Sequence, residues 1–294
     1  MMAQIQYQTL SHSQLLADMA VEALIDEVNL TPKPALVDRR GSGAHDDLTL
    51  ELMERSAKSL GPMFDAMAQA AIQHRTVCQA LREDIGEIGR QGEKVMMLAT
   101  DGVNTHRGAI WALGLMVTAA ALAHTNQQYL SAVELCELAG QIAQLEDRFI
   151  PKQALSHGQQ VQKRLAVLGA KEQAQQGFPT IVNFGLKQLY QSSSKPMKEE
   201  FARLDALLAI MTDLTDTCVL YRSGTNGLKR MQQGAQQVLD LGGSSSLEGR
   251  RALHLLEIDL LRIKASAGGA ADLLAATLFI DRVEQSSSKN KEGF

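Results

Sequence analysis

Apolar residues along this chain recur at the three-to-four spacing of a helix face, and no stretch keeps the strict alternation of a strand. Leu15, Leu16, Met19, Ala20, Ala23, Leu24 and Val28 predict a first helix over residues 10–30, ended by Pro32 and Pro34. A second helical region covers 48–60. Pro62 suits the first turn of a third, whose apolar side is Met63, Met67, Ala70 and Ala71. Residues 81–98 read as a further helix weakened by Gly86, Gly89 and Gly92, with Asp84, Glu87 and Glu93 facing either a site or solvent. The run from Gly108 to Ala123, GAIWALGLMVTAAALA, is apolar all round and rich in small residues, as a buried helix requires. Leu135, Leu138 and Ile142 mark a helix within 130–147. Phe201, Leu204, Leu208 and Met211 restart the stripe, Gly224 and Gly227 interrupt the next region, and residues 255–263 resume the helical pattern. The apolar ADLLAATLFI after Gly268 and Gly269 predicts a buried final helix.

The expected architecture is all-α: a single large helical enzyme domain over residues 1–283, its active site formed by helix ends and loops, with a frayed polar C-terminal tail over 284–294. The connections expected between helices are the turn at Gly177-Phe178-Pro179, a surface link at Ser192–Ser194 with Pro196, and a flexible joint from Gly242 to Ser246. His157 and its neighbouring glutamines show no catalytic pattern.

Length and charge narrow the class. The chain has 294 residues and a formal net charge of −4, so it lacks the basic field of a general nucleic-acid binder. Cys78, Cys136 and Cys218 lie far apart, neither a metal-ligand spacing nor an even disulfide framework, and a reducing cytoplasm is the simpler setting. No basic segment leads into an apolar run at the N-terminus, as a signal peptide would need. The 108–123 run falls short of the roughly 20 residues of a membrane span. No membrane or nucleic-acid partner is expected.

Four stretches break the helical pattern with residues suited to chemistry. The first, TPKPALVDRRGSGAHDD over 31–47, holds Lys33, Arg39 and Arg40 against Asp38, Asp46 and Asp47. Its two prolines and two glycines oppose a continuous helix. It is either a shaped loop for an anionic ligand, with a metal ion among the carboxylates, or a polar connection tied by its own ion pairs. The second, DGVNTHRG over 101–108, ends where the apolar run begins. A helix N-terminus there offers amides to an anion, Arg107 a bidentate phosphate contact, Asn104 a ribose or base contact, and His106 a proton. An ordinary cap with a surface His-Arg pair is the alternative, and no GxxxxGK[ST] loop is present. In the third, Asp213 and Asp216 stand three residues apart, placed to share Mg²⁺ and a polyphosphate that Arg222 neutralises, or simply to face solvent. The fourth, SAGGAADLL over 266–274, brings Ser266, Gly268, Gly269 and Asp272 to a helix entrance. A carboxylate there is either a site residue or a charge favoured by the helix dipole.

These stretches together resemble the triphosphoribosyl-dephospho-coenzyme A synthases, especially the form associated with malonate decarboxylase, with the citrate-lyase-associated form a near relative. The matching pieces TPKPALVDRRGSGAHDD, GVNTHRGAIWALG, GFP, the DT of DTCVLYRSG and SAGGAADLLAATLF span most of the chain. Cys218 and Ala267 depart from the Asn and Pro common at those places. The resemblance implies transfer of the triphosphoribosyl part of ATP to the ribose 2′-hydroxyl of 3′-dephospho-coenzyme A, with Mg²⁺ as cofactor and adenine leaving. The product would pass to a prosthetic-group transferase, and a homodimer is compatible with it. It implies catalytic roles for His45, Asp47, His106 and Asp216. Substrate contacts fall to Lys33, Asp38, Arg39, Asn104, Arg107, Arg222, Ser266, Gly268 and Gly269, and the metal to Asp47, Asp213, Asp216 and Asp272.

Overall fold

The apolar run forms the central post of the molecule. In the computed structural model, which describes residues 10–151, 157–194 and 198–292, it is helix α5 (Arg107–Thr125), counted in chain order after α1 (His12–Asn29), α2 (Leu50–Ser59), α3 (Gly61–His74) and α4 (Gln79–Ala99). From Ala109 to Ala123 every residue of α5 except Trp111 is buried. Among the described residues α5 is also the one helix long and apolar enough to cross a bilayer, but it is mostly covered by other helices. Its small residues let those helices approach closely. At Gly114 an added Cβ would lie 2.7 Å from Met67 Sδ on α3. Leu113, Leu115, Met116 and Leu122 are fully buried, each side chain contributing roughly 1.5–3 kcal/mol through removal from water.

The remaining helices are α6 (Ala132–Gln144), α7 (His157–Leu165), α8 (Ala170–Gln175), α9 (Lys187–Ser193), α10 (Glu199–Asp213), α11 (Thr217–Asp240), α12 (Leu247–Arg262) and α13 (Gly268–Glu292). A π-helical turn, Ile181–Leu186, leads into α9. Helices α1, α3, α6 and α13 pack directly on α5. Among the described residues the fold is all-α, with a lone bridge between Asp38 and Gly41 as its single β-type pairing.

Helix ends follow the capping rules. Ser11 and Gln14 form a capping box at α1, and Ser131 and Glu134 another at α6. Several expectations need correction. Gly224, with φ 65°, kinks α11 without ending it, and α12 starts eight residues before the expected 255. The stretch Gly242–Ser246 is no flexible joint, because buried Asp205 accepts from the Ser244 amide (2.7 Å) and from Ser192 Oγ (3.2 Å). For the same reason Ser192 is not on a surface link; Pro196 lies outside the described residues. Helix α13 runs on to Glu292, past the expected start of a frayed tail at 284; residues 293 and 294 lie outside the described ones. The side chain of His157 is likewise outside them.

Candidate active site

The long loop between α1 and α2 folds on itself by local chemistry. It begins with a cis Thr31–Pro32 peptide. Asp38 is buried and accepts from the amides of Lys33 (2.9 Å) and Arg40 (2.7 Å). The Arg40 guanidinium grips the same carboxylate and reaches Glu257 on α12 at 2.7 Å. Gly43 closes the loop at φ 57°, where a Cβ would sit 2.5 Å from the carbonyl oxygens of Ala35 and Leu36. Such a position admits only glycine. Asp38 is therefore the keystone of the loop rather than a substrate contact. Arg39 stands exposed and donates to Asn29 Oδ1 (3.3 Å), away from the cavity the loop covers.

That cavity is a cleft open to solvent on one side. It gathers residues from all four sequence stretches: Lys33 and His45 from the first, Asn104, His106 and Arg107 from the second, Arg222 from the third, Ser266, Gly268 and Asp272 from the fourth. The first residues of α5, α11 and α13 all line it, so three helix N-termini open on one space. Their partial positive charge adds to that of Lys33, Arg107 and Arg222, and the cavity favours a polyanion. Arg107 also pairs with Glu93 of α4. The other three acids of that helix are also paired, Glu83 with Arg148, Asp84 with His74 and Glu87 with Arg90.

Lys33 is 1% exposed and donates to Glu27 Oε1 at 2.5 Å. Burial raises the Glu27 carboxyl above its ordinary range, and Lys33 opposes that rise. Glu27 escapes a sequence search because it sits on the apolar stripe of α1, between Leu24 and Val28. An acid at a core position of a helix was the available signal. His106 packs beside the pair, its Nδ1 hydrogen-bonded to Ser56 Oγ (2.7 Å), which Thr105 also touches. Its Nε2 is buried with no partner among the described residues. Burial, aided by Lys33, lowers its pKa to about 4, so the ring is neutral at pH 7.

His45 carries an assignable tautomer. Arg222, always a donor, reaches its Nδ1 at 3.1 Å, so that nitrogen accepts and the proton sits on Nε2. Nε2 then donates to Ser266 Oγ at 2.7 Å, leaving the serine hydroxyl hydrogen free for a ligand oxygen. Burial and Arg222 lower the His45 pKa, with Asp47 and Asp46 opposing. Asp47 itself is exposed, 3.7 Å from His45 Nδ1.

Asp216 holds two helices together. It is 1% exposed, and its Oδ1 accepts from the amides of Cys218 (2.8 Å) and Val219 (3.2 Å) while Oδ2 accepts from Ala270 (3.0 Å). One carboxylate thus caps α11 and clasps the first turn of α13. Gly269 lies against it; a Cβ there would come within 3.1 Å of Oδ2. Asp272 follows on the next turn, against the first turn of α5. Gly108 permits that approach, since a Cβ would fall 2.0 Å from Asp272 Oδ2. Burial raises the Asp272 pKa well above the usual range, and Glu27 and Asp216 add to the rise. Asp213, the last residue of α10, accepts from Thr180 Oγ1 at 2.5 Å.

Of the four acids expected to bind metal, Asp47 lies exposed beside His45, while Asp213, Asp216 and Asp272 line one neighbouring cavity, Asp216 held by backbone amides and Asp213 by Thr180. Among the described residues no three His, Cys, Asp or Glu side chains gather as a preformed metal centre.

A cavity with three basic side chains at three helix entrances, and Glu27 and Asp272 in its wall, is a candidate anion site in an all-α domain. The family model described as CitG, ATP:dephospho-CoA triphosphoribosyl transferase, matches residues 13–291, and the chain belongs to that family. A Pseudomonas syringae pv. syringae protein called probable 2-(5''-triphosphoribosyl)-3'-dephosphocoenzyme-A synthase is 60% identical over 274 residues, 93% of each chain. Proteins of the same description from Pseudomonas fluorescens and Azotobacter vinelandii are each 57% identical, over 287 residues (98% of this chain, 97% of the relative) and 274 residues (93% of each). No solved structure matches.

Proposed function

We propose that this enzyme moves the triphosphoribosyl group of ATP to the ribose 2′-hydroxyl of 3′-dephospho-coenzyme A. The observation that carries the proposal is the cavity where Lys33, Arg107 and Arg222 meet three helix N-termini, with the Asp272 carboxylate at its floor. The triphosphate fits the basic half of that space and is held there without attack on phosphorus. The bond from ribose C1′ to adenine N9 breaks, and the bond from C1′ to the acceptor oxygen forms. Positive charge developing on the ribose is stabilised by the carboxylate of Asp272. The proton lost by the acceptor hydroxyl passes to that carboxylate and on to water, and adenine takes one proton from water as it leaves. His106, neutral with a free ring nitrogen, and the Ser266 hydroxyl, freed by His45, are placed to hydrogen-bond the bound nucleotide. Asp216 is a positioning residue, setting α11 and α13 relative to each other.

Mg²⁺ is part of this proposal. It commonly binds through one or two carboxylates plus substrate phosphates rather than a protein cage, and Asp272 beside a triphosphate cradle suits that mode. Asp47, exposed and 3.7 Å from His45 Nδ1, is a second carboxylate near the Arg222–His45 pair. When bound, the ion would neutralise triphosphate charge.

The product would supply malonate decarboxylase, after a separate transferase attaches it to the carrier protein. The long runs TPKPALVDRRGSGAHDD and GVNTHRGAIWALG support that pathway over the citrate-lyase one. Chromatography with mass detection tests the reaction: ATP and dephospho-coenzyme A should give free adenine and the joined product. ADP without adenine would overturn it in favour of a kinase. Deletion of the gene tests the pathway: malonate decarboxylase should lose its prosthetic group, and loss from citrate lyase alone would reverse the assignment.

A further inference from the structure

A second cavity adjoins the first, and the two share Gly108, Thr217 and Asp272 as a common wall. Their linings differ sharply. The first holds Lys33, Arg107 and Arg222; the second has no Lys or Arg among the described residues and three carboxylates, Asp213, Asp216 and Asp272. Its other surfaces are mostly apolar or aromatic, including Trp111, Phe178 and Leu214, with Gln173, Thr215 and Thr217 as polar side chains. The Trp111 ring is fixed by its Nε1, which donates to the Ala170 carbonyl at 3.1 Å. The Asp213 carboxylate is fixed as well, by a chain in which Gln173 Nε2 donates to Thr180 Oγ1 (2.7 Å) and Thr180 donates to Asp213.

Resting on the transfer reaction proposed above, we infer that the second cavity takes the nucleoside end of the acceptor, and that its carboxylates, Asp213 foremost, reject an acceptor bearing a 3′-phosphate. Aromatic and apolar walls suit a purine and its ribose. An acceptor ribose seated there presents its 2′-hydroxyl to Asp272 at the shared wall, facing the sugar of the nucleotide in the first cavity. A phosphate on the neighbouring 3′-oxygen would enter a space that holds Asp213 and, among the described residues, offers no Lys or Arg to pair with. Selectivity by repulsion of the wrong partner needs no contact with the right one. Coenzyme A and its dephospho form differ by that phosphate alone, so the charge pattern of this cavity is sufficient to separate them.

Direct binding tests this without requiring turnover. Dephospho-coenzyme A, coenzyme A and ATP would each be titrated calorimetrically into wild type, Asp213→Asn and Leu168→Lys. Leu168 lines the second cavity and is 57% exposed, so a lysine there adds a cation without disturbing the core. Wild type should prefer dephospho-coenzyme A to coenzyme A. Each variant should narrow that preference by roughly threefold or more through tighter coenzyme A binding, the scale of one partly exposed charge pair, while ATP affinity holds. An unchanged preference in Leu168→Lys, or a shift in ATP rather than acceptor affinity, would overturn the inference. Absence of adenine release by wild type would instead overturn the reaction, and the binding ratios would still decide the role of the cavity.

Discussion

His106 should make the protein acid-sensitive in a way that one substitution removes. A histidine buried as the neutral ring costs stability wherever the unfolded chain can take a proton that the folded one refuses. The unfolded value is 6.5 and the folded value about 4, so the contribution is intact above pH 6.5, falls as the pH drops, and is gone near pH 4. At roughly 1.4 kcal/mol per tenfold difference in proton affinity, the full loss is about 3 kcal/mol, with about 2 kcal/mol gone by pH 5. The ring is 2% exposed, so solvent screening reduces this little. Urea unfolding of wild type and His106→Gln at several values between pH 7.5 and 4.5 isolates the term, because His45, His12 and the carboxylates titrate in both proteins. The stability difference between the two should shrink by about 2 kcal/mol from pH 7.5 to pH 5. Parallel stability profiles would refute the neutral buried ring. Saturating ATP should blunt the difference, since a triphosphate beside Nε2 favours the protonated ring.

Breaking the Glu27–Lys33 pair with Lys33→Met should cost about 3–5 kcal/mol by leaving a buried charge alone, and the double variant with Glu27→Leu should recover most of it in urea melts. Gly108→Ala forces the Asp272 carboxylate to move, so kcat should fall about a hundredfold, as for a 1 Å misplacement, with little change in ATP affinity. Asp216→Asn should lower stability by about 1–2 kcal/mol through weaker amide contacts at two helix ends, read as a shift in the unfolding midpoint. Chelation with EDTA should abolish adenine release and Mg²⁺ should restore it, with the unbound protein's melting temperature unmoved because no three-ligand cage awaits the ion among the described residues.

The helices were legible in the sequence because most bury one stripe, and the stripe has a period. Helix α5 was legible for the opposite reason, being apolar on every side. Boundaries slipped where side chains at a distance decide them: Asp205 orders the Gly242–Ser246 turn through the Ser244 amide, 39 positions away, which composition cannot register. In the site, Lys33, His45, His106, Arg107, Arg222, Ser266 and Asp272 come to one cavity from stretches already conspicuous as interruptions. Glu27 was hidden because it interrupts nothing; it occupies a core position in a regular helix. Asp38 and Arg39 stand in the same polar run as Lys33, yet one holds the loop from inside and the other faces outward. Adjacent residues in a folded loop point in unrelated directions, and residue type alone does not say which points inward.

The clasp of Asp216 on the Ala270 amide joins positions 54 apart, near the far end of the described chain. During synthesis, the loop after α1 and the start of α5 leave the ribosome long before α13 does. Until α13 docks, Asp216 lacks its second helix and the nucleotide space lacks Ser266, Gly268 and Asp272. A nascent chain therefore carries both cavities without the side of each that α13 supplies. If the proposed reaction takes place in this cavity, the site is complete only once the last helix has closed it, because its walls are made in chain order.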